Sequence, residues 1–137
     1  MKNLRKTMNL PQTINLTKGW NVGGTLHDVT VSEWHRSKWG NGLATCSDFV
    51  TRIASLHGEP SIDDSGNQKG IYHSSLVPLK DADLFGLSLQ LLQAVTLGTR
   101  NHVAHIGDQH ITQWVFLAAA KLGWLRVEPL PETQEVA

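Results

Sequence analysis

The sequence predicts a mainly α domain, with an α+β variant carrying a small sheet as the alternative. Three observations carry this. Apolar residues recur at i, i+3, i+4 and i+7 spacing over the long stretches 43–57, 80–97 and 108–122. Gly58 and Gly123 stand where two of those patterns stop, the positions a helix end favours. The intervening segments are rich in Gly, Pro, Ser and Asn and leave room for brief strands only. With 137 residues the chain suits one core, so residues 1–137 are expected to form a single domain.

Residues 1–29 are expected to be irregular, because Gly19, Gly23 and Gly24 break any period and Asn3, Asn9, Asn15 and Asn21 favour turns. Short extended pieces fit at Thr13–Leu16 and Thr25–Thr30. Thr30-Val31-Ser32-Glu33 is a capping-box pattern, in which hydroxyl and carboxylate satisfy free amides of a first helical turn. A short helix over Val31–Lys38 follows and stops at Gly40. The next helix, Leu43–His57, places Leu43, Cys46, Phe49, Val50, Ile53, Ala54 and Leu56 on one stripe. Pro60 prevents its continuation. Residues 59–78 have loop composition, with a brief strand over Ile71–Val77, and a loop of that length marks either function or mobility.

The third long pattern, Lys80–Leu97, opens with Asp81 and Asp83 at the positive end of the helix dipole. It is apolar nearly all round: only Gly86, Gln90 and Gln93 form a polar strip, so most of its surface needs cover. The last helix is expected from Asp108, as N-cap, to Leu122. Its inward stripe is Ile111, Trp114, Val115, Ala118 and Leu122, with Phe116 and Leu117 pointing off that stripe. Trp124–Glu128 reads as a strand or strap, and residues 129–137 as an extended tail.

Composition narrows the function classes. Residues AVILMFWYC make up 40% and charged residues 18%, below the usual ~25%, which excludes a disordered, highly charged chain. A single cysteine, Cys46, excludes a disulfide scaffold, and no apolar run is long enough to span a membrane. Twelve basic and twelve acidic residues cancel, so net charge does not steer the chain to nucleic acid or anionic lipid. The balance is local, however: residues 1–38 are basic and residues 48–83 acidic. The start, MKNLRKTMNLPQ, lacks the apolar core of a secretory signal, and with the lone cysteine this predicts a cytoplasmic location.

Few residues point to chemistry. His102 and His105 would share a helical face, and Asp108 and His110 folding back would complete a mixed N/O set for a divalent transition metal. The spacing matches no standard metalloenzyme signature, and polar loop histidines are the plainer reading. Cys46, on the apolar stripe of its helix, reads as a buried hydrophobe rather than a nucleophile. Asp63-Asp64 reads as a solvated loop pair. The glycines of Gly19–Gly24 lack the Lys and Ser/Thr of a phosphate loop.

Trp20, Trp34 and Trp39, interleaved with Lys18, His35, Arg36 and Lys38, match either a stacking surface for single-stranded nucleic acid or a lid docked on helices. Trp and Arg also anchor protein interfaces, which assigns Trp34, Arg36 and Trp39 to a protein partner. The sequence therefore predicts a non-catalytic protein-interaction module without a cofactor. It is expected to self-associate through Leu89, Phe85, Phe116 and Leu117 on its surplus apolar helix faces. A metal-assisted hydrolase at the histidine cluster and a single-stranded nucleic-acid binder at residues 18–39 are the alternatives.

Overall fold

The computed structural model describes residues 19–130, and its first helix begins where the capping box places it. Helix α1 (Val31–Arg36) has Thr30 as N-cap. The Thr30 hydroxyl accepts from the Glu33 N–H at 3.2 Å, and the Glu33 carboxylate accepts from the Thr30 N–H at 2.9 Å. Two further amides of that first turn find partners on a distant segment. Val31 N–H donates to the Gln109 carbonyl at 2.8 Å and Ser32 N–H to the Gly107 carbonyl at 3.0 Å. Ile111 N–H returns the contact to the Val29 carbonyl at 2.8 Å, around an isolated antiparallel bridge between Thr30 and His110.

The other helices are α2 (Trp39–Ser55), α3 (Asp81–Thr99), the single-turn α4 (Val103–Ile106) and α5 (Ile111–Lys121), with a 3-10 turn at Arg100–His102. Among the described residues there are three short strands: β1 (Pro60–Ile62), β2 (Gln68–Ser74) and β3 (Leu125–Pro129). They form one antiparallel sheet in the order β1-β2-β3. The fold is thus mainly α with a small sheet.

The core is the meeting of three apolar stripes. Phe49, Val50 and Ile53 of α2 pack with Leu91, Leu92 and Val95 of α3 and with Ile111, Val115 and Ala119 of α5, all buried. Trp124 and Leu125 bring the start of β3 into the same cluster. Each buried aliphatic side chain of this kind contributes ~1.5–3 kcal/mol relative to exposure.

Several elements differ from the sequence expectation, beginning with α1, which ends at Arg36 instead of Lys38. Helix α2 starts at Trp39 instead of Leu43 and runs through Gly40 and Gly42. Gly42 lies flat on the α3 side chain Leu92, so close packing outweighs the poor helix propensity of glycine there. Segment 59–78 is largely a β-hairpin rather than a loop with one strand at 71–77. Asp63 Oδ1 accepts from the N–H groups of Ser65 and Asn67, both at 2.9 Å, and closes its turn, where Gly66 takes φ +86°. Helix α5 starts at Ile111, with His110 instead of Asp108 as N-cap. The cause is the bridge to α1, which uses the carbonyls of Gly107 and Gln109 before α5 begins. Thr25–Thr30 forms no strand beyond the Thr30 bridge, while Thr13–Leu16 and most of the tail expected at 129–137 lie outside the described residues.

Two glycines separate packing from propensity. A Cβ on Gly24 would lie 2.7 Å from Thr45 Cα, against the backbone of α2, whereas a Cβ on Gly86 of α3 meets nothing within 4 Å. Gly24→Ala is therefore expected to destabilise the protein by about 1–3 kcal/mol through overpacking. Gly86→Ala is expected to stabilise it by about 0.5–1 kcal/mol. Urea unfolding of the two variants measures both.

Candidate functional site

The tryptophans turn inward. Trp34 of α1 is buried, and its indole N–H donates to Thr96 Oγ1 of α3 at 3.1 Å. Trp20 packs edge-on against Phe85, with ring centroids 5.2 Å apart and planes at 83°. Trp39 is half-buried at the start of α2, and its Nε1 is covered with no hydrogen-bond partner among the described residues. Of the three residues assigned to a partner, Arg36 alone is exposed. The rings cover helices, and Trp34 has no face left for a base or a partner.

His35, beside Trp34, reaches the other polar anchor of α1. Its Nε2 lies 2.7 Å from the buried Thr99 Oγ1, which itself donates to the Val95 carbonyl at 2.8 Å. Thr99 has one hydroxyl proton, already given to Val95, so the ring N–H must donate to it. Burial holds the His35 pKa below the ordinary 6.5, and the Arg100 charge adds to that.

The histidine cluster does not converge. His102 lies in the 3-10 turn, His105 in α4, Asp108 in the following turn and His110 at the N-cap of α5. His110 Nδ1 donates to the Asp28 carbonyl at 3.0 Å, which commits that ring to the α1–α5 bridge. Among the described residues, no three of His, Cys, Asp and Glu gather closely enough to hold a metal ion. Cys46 is buried, and burial pushes its thiol pKa up, so the thiolate that a nucleophile needs is disfavoured. Asp63 is occupied as the hairpin's turn acceptor.

Sequence reasoning missed two histidine contacts. His27 Nε2 sits 2.8 Å from Asp48 Oδ2, tying the segment before α1 to α2. His73 Nε2 lies 2.6 Å from Glu128 Oε1 across β2 and β3, with the His57 ring 5.6 Å away. The second needed the hairpin register, which period-2 hydrophobicity does not mark in Gln68–Ser74.

The described residues also line several concavities, three of which bear on a binding site. One, of about 430 Å³, is lined by Ser75, Pro78, Lys80, Asp83 and Leu87 beside the start of α3. A second, of about 300 Å³, lies between hairpin and helices, lined by Arg52, Leu56, Ile62, Tyr72 and Phe116. The third, of about 60 Å³, is the seam of α3 and α5, between Ala94, Gly98, Trp114, Leu117, Ala118 and Lys121.

The four residues assigned to self-association separate clearly. Phe85 lies under Trp20, Phe116 stacks edge-on against Phe49 at 6.3 Å, and Leu89 is half-buried against the core. Leu117 is exposed at 42%, and Leu97, next to the seam residue Gly98, at 44%. No helix among the described residues is long and apolar enough to cross a membrane. The chain matches no family model, no curated protein and no solved structure.

The lowered pKa of His35 has a definite sign. Unfolding raises that pKa and takes up a proton, so the stability contributed by neutral His35 is present above pH 6.5 and lost as pH falls through the folded value. His35→Gln keeps an N–H for Thr99 and cannot titrate. Its unfolding free energy, followed by urea denaturation between pH 7.5 and 5.5, is expected to fall less steeply than that of the natural chain.

Proposed function

We propose that the chain is a non-catalytic protein-interaction module that pairs with a second copy of itself along the α3–α5 seam. The observation that carries this reading is the exposure of Leu97 and Leu117 on helices that the core covers incompletely. The seam beside them is walled by small residues, Ala94, Gly98 and Ala118, so another helix can approach closely. A two-fold contact there counts each leucine twice, which suits a homodimer. The buried thiol of Cys46 fits a reducing compartment, and a cytoplasmic location belongs to the same proposal.

Leu117→Glu places a charge on this edge without touching the core. It is expected to weaken self-association about 30–100-fold, since two leucines leave the interface, and to shift the melting temperature by less than about 2 °C. Light scattering at tens of micromolar, on the order of ordinary dimer constants, measures the first and calorimetry the second. A natural chain that is monomeric throughout that range overturns the proposal. Leu89→Glu and Phe116→Glu lose packing against the core and are expected to unfold the chain instead.

A further inference from the structure

The outer edge of β3 has no strand partner among the described residues, and its residues are arranged about a centre. Tyr72 directs both backbone groups to the β1 side: its N–H donates to the Glu59 carbonyl and its carbonyl accepts from Gly58 N–H, both at 2.8 Å. Backbone direction alternates along a strand, so Ile71 and His73 face β3. Their partners Glu128 and Arg126 therefore spend their backbone groups on β2. The Ser75 N–H to Trp124 carbonyl bond, at 2.9 Å, continues the same alternation. Val127 is left with its N–H and carbonyl pointing outward.

We infer that two copies of this chain pair antiparallel through their β3 edges, centred on Val127, and continue the three-stranded sheets into one of six strands. This contact is separate from the α3–α5 seam and does not rest on it. In that register Val127 faces Val127 of the second copy, exchanging two backbone hydrogen bonds. Arg126 then stands opposite Glu128 of the second copy, and Glu128 opposite its Arg126, so both cross-strand pairs are of opposite charge. A shift by one residue loses this match.

Apolar surface agrees with the same centre. Val127 is 42% exposed and shares its sheet face with its register partner Tyr72. Tyr72 in turn shares a cleft with Ile62, exposed at 52%. Pairing at Val127 joins these half-covered rows from the two copies. Pro129, which has no N–H to donate, ends the ladder one step from the centre and disfavours longer or slipped pairings. The other sheet edge, β1, is three residues long, begins with Pro60 and carries a register shift, so it offers no comparable template.

The test uses the full chain carrying Leu117→Glu, which silences the helix seam, followed by sedimentation equilibrium. Adding Arg126→Glu or Glu128→Arg alone sets like charges opposite each other and is expected to weaken the remaining association about tenfold or more. Mixing the two single variants, or combining both changes in one chain, is expected to restore it to within about threefold, because either restores opposite charges. Val127→Cys in the same background is expected to form a disulfide-linked dimer on mild oxidation, with buried Cys46 taking no part. The inference is overturned by charge reversal that leaves the association unchanged. It is equally overturned by weakening that neither mixing nor combination restores, by absence of the Val127→Cys dimer, or by a Leu117→Glu chain monomeric to about 200 μM, a concentration at which even a weak strand pair is populated. If Leu117→Glu leaves association untouched while Arg126→Glu abolishes it, the seam reading fails and the strand pairing stands.

Discussion

The amides that open α1 and α5 have no partners within their own helices, as at any helix start. The chain answers both needs by crossing itself at Thr30 and His110. Carbonyls of Gly107 and Gln109 receive the first amides of α1, and the carbonyl of Val29 receives the first amide of α5. Thr112 Oγ1 adds a donation to the His27 carbonyl at 2.7 Å, and His110 one to Asp28. The crossing joins segments about 80 residues apart in sequence, so it closes the whole helical layer at once. A Cβ on Gly107 would collide with Ser32 Oγ and the Val103 carbonyl, so glycine is required for the approach. The same crossing takes up the backbone of the histidine-rich segment and the His110 ring as helix caps.

How much of this was legible depends on the range of the interaction that decides each element. The stripe from Leu43 to Leu56, the Thr30–Glu33 capping box and the glycine stops at Gly58 and Gly123 are local, and each appears in the structure. Asp108 is a good local cap, but the partners that set the start of α5 lie on α1, far away in sequence, where local pattern does not reach. Pro60, Gln68, Lys69 and Gly70 carry little strand propensity, so composition marks only a brief strand near Ile71 and not the hairpin. Pairing with β3 compensates for that, and Gly70 is needed there because a Cβ would strike the Glu128 carbonyl. The inward aim of Trp34 depends on Thr96 and was equally invisible from spacing alone.

Polar anchoring also redistributes the chemistry of the basic, tryptophan-rich segment. A six-residue helix cannot persist by its own propensity. Helix α1 is held instead by the buried Trp34, its indole bond to Thr96, and the His35 bond to Thr99. The residues that looked most like a recognition surface are thereby committed to attaching α1 to α3. The exposed large apolar positions on α3 and α5 are Leu97 and Leu117, which moves the proposed interface from the tryptophans to the later helices.

The two proposed self-pairing surfaces, taken together, carry a consequence that neither has alone. A single isologous contact closes on itself and stops at a dimer. With a second two-fold contact at a different place, each copy in a dimer still presents an unsatisfied patch. Assembly then ends only if the two axes meet at an angle that closes a ring, four copies being the case of perpendicular axes; otherwise it extends as a chain. The short reach of β3 bears directly on this choice. Pro129 limits the proposed strand pair to the few residues around Val127, so that contact would be the weaker of the two and would dissociate first on dilution. Concentration would then select between the seam dimer and larger assemblies, with the sheet edge acting as the adjustable joint. The physical basis is the difference between a seam contact that would bury Leu97 and Leu117 of both copies and a strand contact centred on the two Val127 backbone bonds and two exposed ion pairs, each pair worth little in water.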